Sequence, residues 1–292
     1  MNKDIRRLVE DATSDLVSAL DGGKSERLTE YLAAMGRFHE YSLGNALLIA
    51  VQRPDARHVA GYRTWQGLGR QVRQGEKSIL IVAPIVKRRS KAKGGNESVE
   101  VGETEEEVVA AFRDAHVFDI SQTEGRPLPE FAKVEGNPRY YLERLRAHIG
   151  GQGIDLAYSD SLGSAYGLSC GDRILIRPGL GPAEEFSVLV HELAHEMLHK
   201  QGQGGQGISR KIREVEAEAV AFVVSQAVGL ECGTAASDYI QLYDGKKETL
   251  MGSLERIQAT ARKVIKAVMM AEKGETETVG RETSPGIKAA AA

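Results

Sequence analysis

The chain of 292 residues is poor in several things. It has two cysteines, Cys170 and Cys232, and one tryptophan. Two thiols cannot build a disulfide framework, so a reducing compartment is expected. No apolar run approaches the roughly 20 residues needed to cross a bilayer. Met1–Arg7 lack the apolar segment of a secretory signal. These absences exclude a disulfide scaffold and a spanning helix, and the expectation is a cytoplasmic protein with no membrane partner. Internal repeats are also missing.

What is present suits a globular protein of two domains: 41% apolar and 27% charged residues. The net charge of −3 conceals a segregation. Between Arg37 and Lys93 there are 12 basic residues against three acids (Glu40, Asp55 and Glu76), a local charge of +9. An acidic stretch from Glu97 to Glu107 follows. A cationic block of this kind predicts an anionic partner. Rings interleave with it, as in proteins that bind single strands by a cationic groove and stacked bases. The candidate nucleic-acid residues are Arg37, Tyr41, Arg57, Tyr62, Arg63, Trp65, Arg70, Arg73, Lys77, Lys87, Arg88 and Arg89. The opposing reading makes Trp65 a core residue and the arginines a solvated face.

Helical spacing of Ile5, Leu8, Val9, Ala12 and Leu16 predicts a first helix ended by Asp21-Gly22-Gly23. A second covers about 26–35, and a third runs from Tyr41-Ser42 to Gln52, stopped by Pro54. Ser78–Ala83 reads as a buried strand and 87–95 as a basic hairpin tip. Residues 108–112 and 117–120 return as strands.

The sharpest motif is His191-Glu192-Leu193-Ala194-His195. Residues four apart share a helix face, so both imidazoles can reach one ion. Glu192 lies beside them, where it can take a proton from metal-bound water. Neutral imidazoles suit Zn2+. Pro182 opens this helix. His199 extends the stripe, but it lies about 12 Å along the axis from His191 at 1.5 Å per residue, too far for one ion. It reads either as a group behind the ligands or as a cation at the helix end. Beyond the Gly-rich segment 202–207, Ser209 caps a helix carrying Glu214, Glu216 and Glu218. Glu214 and Glu218 share a face, and Glu216 points about 200° away. The helix is otherwise apolar, and a buried carboxylate needs a partner such as a metal. Glu214 is therefore the candidate third ligand, with Glu218 orienting a ligand histidine. An exposed acidic stripe paired with Arg210, Lys211 and Arg213 is the alternative. Upstream, 169–177 reads as a strand after a turn, with Ala165-Tyr166-Gly167 near a sheet edge.

The run 191–195 followed by Glu214-x-Glu216-Ala217 resembles the gluzincin pattern of ImmA/IrrE-type and ArdC-type metallopeptidase domains. Phe38-His39-x-Tyr41-Ser42-x-x-Asn45, Gln52-Arg53-Pro54, Ala60-Gly61-Tyr62-x-x-Trp65, Gly69-Arg70-x-Val72-x-x-Gly75-Glu76 and Val117-Phe118-Asp119 resemble the single-stranded-DNA-binding domain of ArdC-type antirestriction proteins. Glu218 stands where many relatives carry Asn or Asp. The resemblance covers roughly residues 5–265. It implies protection of incoming plasmid or phage DNA against restriction.

The expected architecture is α+β in two domains: residues 1–130 binding single-stranded DNA, and 136–272 a gluzincin-like zinc metallopeptidase, with a disordered tail at 273–292. Two functions of different class stay open. One is a DNA-recruited endopeptidase that hydrolyses an unidentified protein substrate, with Glu192 as base and Zn2+ on His191, His195 and Glu214. The other is a non-proteolytic protein that shields the strand. A third, cleavage of a repressor, is disfavoured by the basic N-terminal block.

Overall fold

In the computed structural model the described residues are 3–22, 26–90, 105–126, 138–199, 208–230 and 247–269. The connector 202–207, the tail 273–292 and most of the basic hairpin tip fall outside them.

Three helices lead: α1 (Lys3–Asp21), α2 (Glu26–Arg37) and α3 (Leu43–Gln52). The Ser42 hydroxyl caps α3 by accepting the Asn45 N–H, and Pro54 follows its end. Next come β1 (Val59–Gly61), α4 (Tyr62–Gly67), β2 (Arg70–Val72), β3 (Ile79–Ser90), β4 (Glu105–Asp119) and β5 (Thr123–Gly125). Strands β1, β4 and β3 form an antiparallel sheet in that order, and β2 pairs with β5. The two strands read at 108–112 and 117–120 are one continuous strand, and β3 runs through Pro84 to Ser90.

Helix α3 closes the open edge of that sheet. The Asn45 amide donates to the Val82 carbonyl and accepts the Val82 N–H, at 2.8 and 2.9 Å. Gln52 does the same at Leu80. Two side chains seven residues apart on one helix thus satisfy an edge that would otherwise template aggregation. Phe38, Ile49, Ile79, Ile81 and Val117 pack between helix and sheet.

The second half contains α5 (Pro138–Gly151), β6 (Asp155–Tyr158), β7 (Gly167–Ser169), β8 (Arg173–Ile176), α6 (Pro182–His199), α7 (Arg210–Ala227) and α8 (Lys247–Met269). The sheet order is β6-β8-β7, with β6 parallel and β7 antiparallel to β8, so β7 is an edge. Phe186, Leu189, Val190 and Leu193 of α6 are fully buried. The same core takes in Leu28, Leu32 and Met35 of α2. The α2–α7 contact is close enough that a Cβ on Gly36 would stand 2.8 Å from the Val223 carbonyl oxygen. The chain is therefore α+β in two parts, with the N-terminal helices packed against the second.

Candidate metal centre and nucleic-acid face

Helix α6 presents His191 and His195 one turn apart, and α7 crosses it with Glu214. The two Nε2 atoms are 3.1 Å apart, and Glu214 Oε2 lies 3.7 Å from His191 Nε2 and 3.4 Å from His195 Nε2. A divalent ion bonded at about 2.0–2.2 Å to each donor would hold neighbours roughly 3.0–3.6 Å apart. Two imidazoles and a carboxylate in this triangle fit such an ion. The triad opens on a cleft of about 820 Å³, lined also by Gly167–Gly171, Arg210 and Arg213.

Burial, reinforced by the neighbouring His191, pushes the His195 imidazole down to about 4, which leaves it neutral and free to donate a lone pair. Burial also opposes charge on His191, but Glu218, Glu192 and Glu214 outweigh it and raise that ring. Glu218 Oε2 is 3.4 Å from His191 Nδ1. His199 stands behind His195, with the two Nδ1 atoms 3.2 Å apart.

Two carboxylates are placed otherwise than the sequence suggested. Glu214 is half exposed, and the fully buried carboxylate of α7 is Glu216. Glu216 does point away from the triad face, but into the core, where it meets His199 and Arg256 of α8. Glu192 is buried against strand β7. It accepts the Ser169 N–H, and burial raises its carboxyl. A Cβ on Gly167 would lie 2.7 Å from the Glu192 Cγ and Oε1. Glu192 thus ties α6 to the sheet edge.

On the N-terminal part, Trp65 is corrected from stacking platform to core residue. It is 2% exposed, and its indole N–H donates to the Phe118 carbonyl at 2.9 Å. Tyr41 is likewise engaged, its hydroxyl bonded to the Val59 carbonyl. Arg70 is pinned by Thr123 and the Arg126 carbonyl. The open rings are Tyr62, 41% exposed on α4, and Phe112, 58% exposed on β4. Composition gave no sign of Phe112. Of Lys87, Arg88 and Arg89 only backbone positions on β3 are described, opposite Val108, Glu107 and Glu106.

One short segment, Asp119–Gln122, anchors the backbone of Arg57, His58 and Lys77 and the side chains of Arg53 and Arg73. The Asp119 carboxylate accepts the Arg57 and His58 N–H groups at 2.8 and 3.0 Å. Burial works against that charge, but these bonds and those from Ser121 hold the carboxyl below its usual range. Arg53 and Arg73 donate to the Ser121 hydroxyl and carbonyl. Gln122 donates to the Lys77 carbonyl at 2.7 Å. Nearby, the Arg37 guanidinium bonds the Pro54 carbonyl; burial and the charge of Arg57 lower it. Arg57, Arg63 and Lys77 are exposed and have no carboxylate partner among the described residues. Arg53 and His58 were absent from the expected set.

Residues 5–118 match the family described as the N-terminal domain of anti-restriction factor ArdC. The antirestriction ArdC protein from the R388 plasmid has been solved metal-free and with Mn(II) bound. The metal-free form aligns at TM-score 0.53 and 20% identity, over 89% of this chain and 97% of that one. The Mn(II) form aligns at 0.52 and 18%, over 90% and 98%. An uncharacterized protein of Bacillus anthracis is 26% identical over 83% of this chain, which spans about half (48%) of that relative's length.

These matches correct the catalytic expectation. The fold is shared with an antirestriction protein rather than with a peptidase, so the zinc metalloendopeptidase assignment, its gluzincin label and its hydrolase activity are withdrawn. The run 191–195 specifies which side chains share a helix face, and that does not amount to hydrolysis. The Zn2+ expectation falls too, because the ion in the related structure is Mn(II). No described helix is long and apolar enough to cross a membrane. Over residues 5–118, then, the chain is similar to the N-terminal domain of anti-restriction factor ArdC.

Proposed function

We propose that the chain protects DNA from restriction by binding single strands, without proteolysis. The observation that carries this is the exposed set Arg57, Arg63 and Lys77, which have no carboxylate partner among the described residues, with the Arg57 and Lys77 backbones anchored on Asp119–Gln122. Backbone bonds fix Arg57 in place and leave its guanidinium at the surface; Arg63 sits beside Tyr62 on α4. Neutralising phosphates with such groups releases counterions, which drives sequence-independent binding. Tyr62 offers a ring face for a base. A bound strand is withheld from a duplex-reading endonuclease.

The second part of the reading concerns His191, His195 and Glu214, which would hold a divalent cation of the kind found in the R388 relative. Such an ion supplies a cross-link between α6 and α7. Glu218 would orient His191, and His199 would stand behind His195. Glu192 serves the sheet edge.

The test is transfer of unmodified plasmid DNA into a restricting host that expresses the chain. Glu192→Gln should protect as well as wild type, because the amide still fills the slot beside Gly167. Arg57→Ala with Arg63→Ala should lose protection. If Glu192→Gln abolished protection while DNA binding persisted, the non-proteolytic reading would be wrong.

A further inference from the structure

A histidine that binds a metal through Nε2 must carry its proton on Nδ1, and a hydrogen-bond acceptor behind the ring selects that tautomer. The two ligand histidines solve this differently. His191 Nδ1 has the Glu218 carboxylate at 3.4 Å, with 43% of that side chain exposed. Among the described residues His195 Nδ1 has no carboxylate beside it; its partner is His199 Nδ1 at 3.2 Å. His199 Nε2 in turn lies 2.9 Å from Glu216 Oε2, and the other Glu216 oxygen takes the Arg256 guanidinium, which also reaches the Ser253 hydroxyl. The His199 and Glu216 side chains are 4% and 0% exposed.

With His199 and His195 neutral and a cation rather than a proton between His195 Nε2 and Glu214, the hydrogens along this chain follow from its Glu216 end. A carboxylate facing Arg256 can only accept, so His199 donates from Nε2. Its Nδ1 is bare and accepts from His195 Nδ1–H. That leaves the His195 Nε2 lone pair turned toward His191 and Glu214. We propose that Glu216, acting through His199, is a positioning residue that locks His195 in the tautomer able to ligate a divalent cation. The proposal rests on the divalent-ion reading above. It also explains why α7 buries a carboxylate on the side opposite Glu214.

The test titrates Mn(II) into the full-length metal-free chain, reading free ion by electron paramagnetic resonance, with a urea midpoint for each variant. Glu214→Ala should lose binding. Glu216→Gln must turn its carbonyl to Arg256 and its N–H to His199, which moves the His199 proton to Nδ1 and sets it against His195. Mn(II) affinity should fall about 10–100-fold, the range for losing a partner behind a metal ligand. His199→Phe keeps a ring in the slot without nitrogens and should fall in the same way. Glu218→Gln should cost less. Nitrogen-15 NMR of the metal-free wild type should find His195 protonated at Nδ1 and His199 at Nε2. The opposite tautomers overturn the proposal whether or not the variants fold. If Glu214→Ala loses Mn(II) but Glu216→Gln and His199→Phe retain wild-type affinity, the positioning role is wrong and the ion site stands. If wild type binds no Mn(II), or Glu214→Ala binds as well as wild type, the ion reading fails and takes the proposal with it.

Discussion

Trp65 separates a stacking platform from a core residue most cleanly, because it is the only tryptophan and its emission reports one site. Its ring is 2% exposed and its N–H bonds the Phe118 carbonyl. Truncation to Ala should cost about 3–5 kcal/mol, the range for large buried aromatics. Trp65→Phe keeps a ring but loses the hydrogen bond, about 0.5–1.5 kcal/mol, and leaves a small void. Together these come to about 1–3 kcal/mol. At roughly 2–4 °C per kcal/mol for a chain of this size, the melting temperature should drop by several degrees. The assays are urea denaturation and fluorescence of the wild type during titration with an oligonucleotide. Emission should be that of a buried indole and should stay largely unquenched as DNA binds. Folded Trp65→Phe should bind DNA as wild type does. Strong quenching by bound DNA, or an unchanged melting temperature with weakened binding, would refute the core assignment.

Two further substitutions probe the frame around the sites. Asp119→Ala removes the acceptor for three backbone N–H groups, those of Arg57, His58 and Ser121. It should destabilise by roughly 2–4 kcal/mol at neutral pH in chemical denaturation. Because the folded carboxyl lies below its unfolded value, that stability is present above the ordinary aspartate range and is lost as pH falls through the folded pKa. The wild-type advantage over Asp119→Ala should therefore shrink in acid, and an advantage that grew in acid would contradict the linkage. Gly36→Ala pushes a methyl to 2.8 Å from the Val223 carbonyl oxygen. It should cost about 1–3 kcal/mol in a thermal melt, and a neutral result would mean α2 and α7 are not packed this closely.

Legibility in the sequence followed the range of the interaction. His191 and His195 are one turn apart, so their convergence needs only helical geometry. The phase of α7 put Glu214 and Glu218 on one face and Glu216 off it, and the structure keeps that order. Phase alone does not say which carboxylate is buried. Glu216 owes its burial to Arg256, 40 residues on. The +9 block was visible as composition, whereas the meeting point at Asp119–Gln122 depends on bonds spanning up to 68 residues. Trp65 looked like a platform because arginines flank it in sequence; one turn of α4 directs it inward while Tyr62 and Arg63 stay out. Strands β1, β2 and β5 have three residues each, too few for an alternating pattern. Helix α5, which opens at Pro138, was not read from the sequence. The peptidase reading took a local motif for a reaction.

The central claim is tested most directly by anisotropy of a labelled single-stranded oligonucleotide bound to the full chain across a salt series. Affinity should fall with salt at a slope of roughly −0.7 per phosphate neutralised. The triple variant Arg57→Ala, Arg63→Ala, Lys77→Ala should bind more weakly, with a slope shallower by about 2 if each cation meets one phosphate. A folded wild-type chain with no salt-dependent binding, or a triple variant with unchanged affinity and slope, would contradict the account.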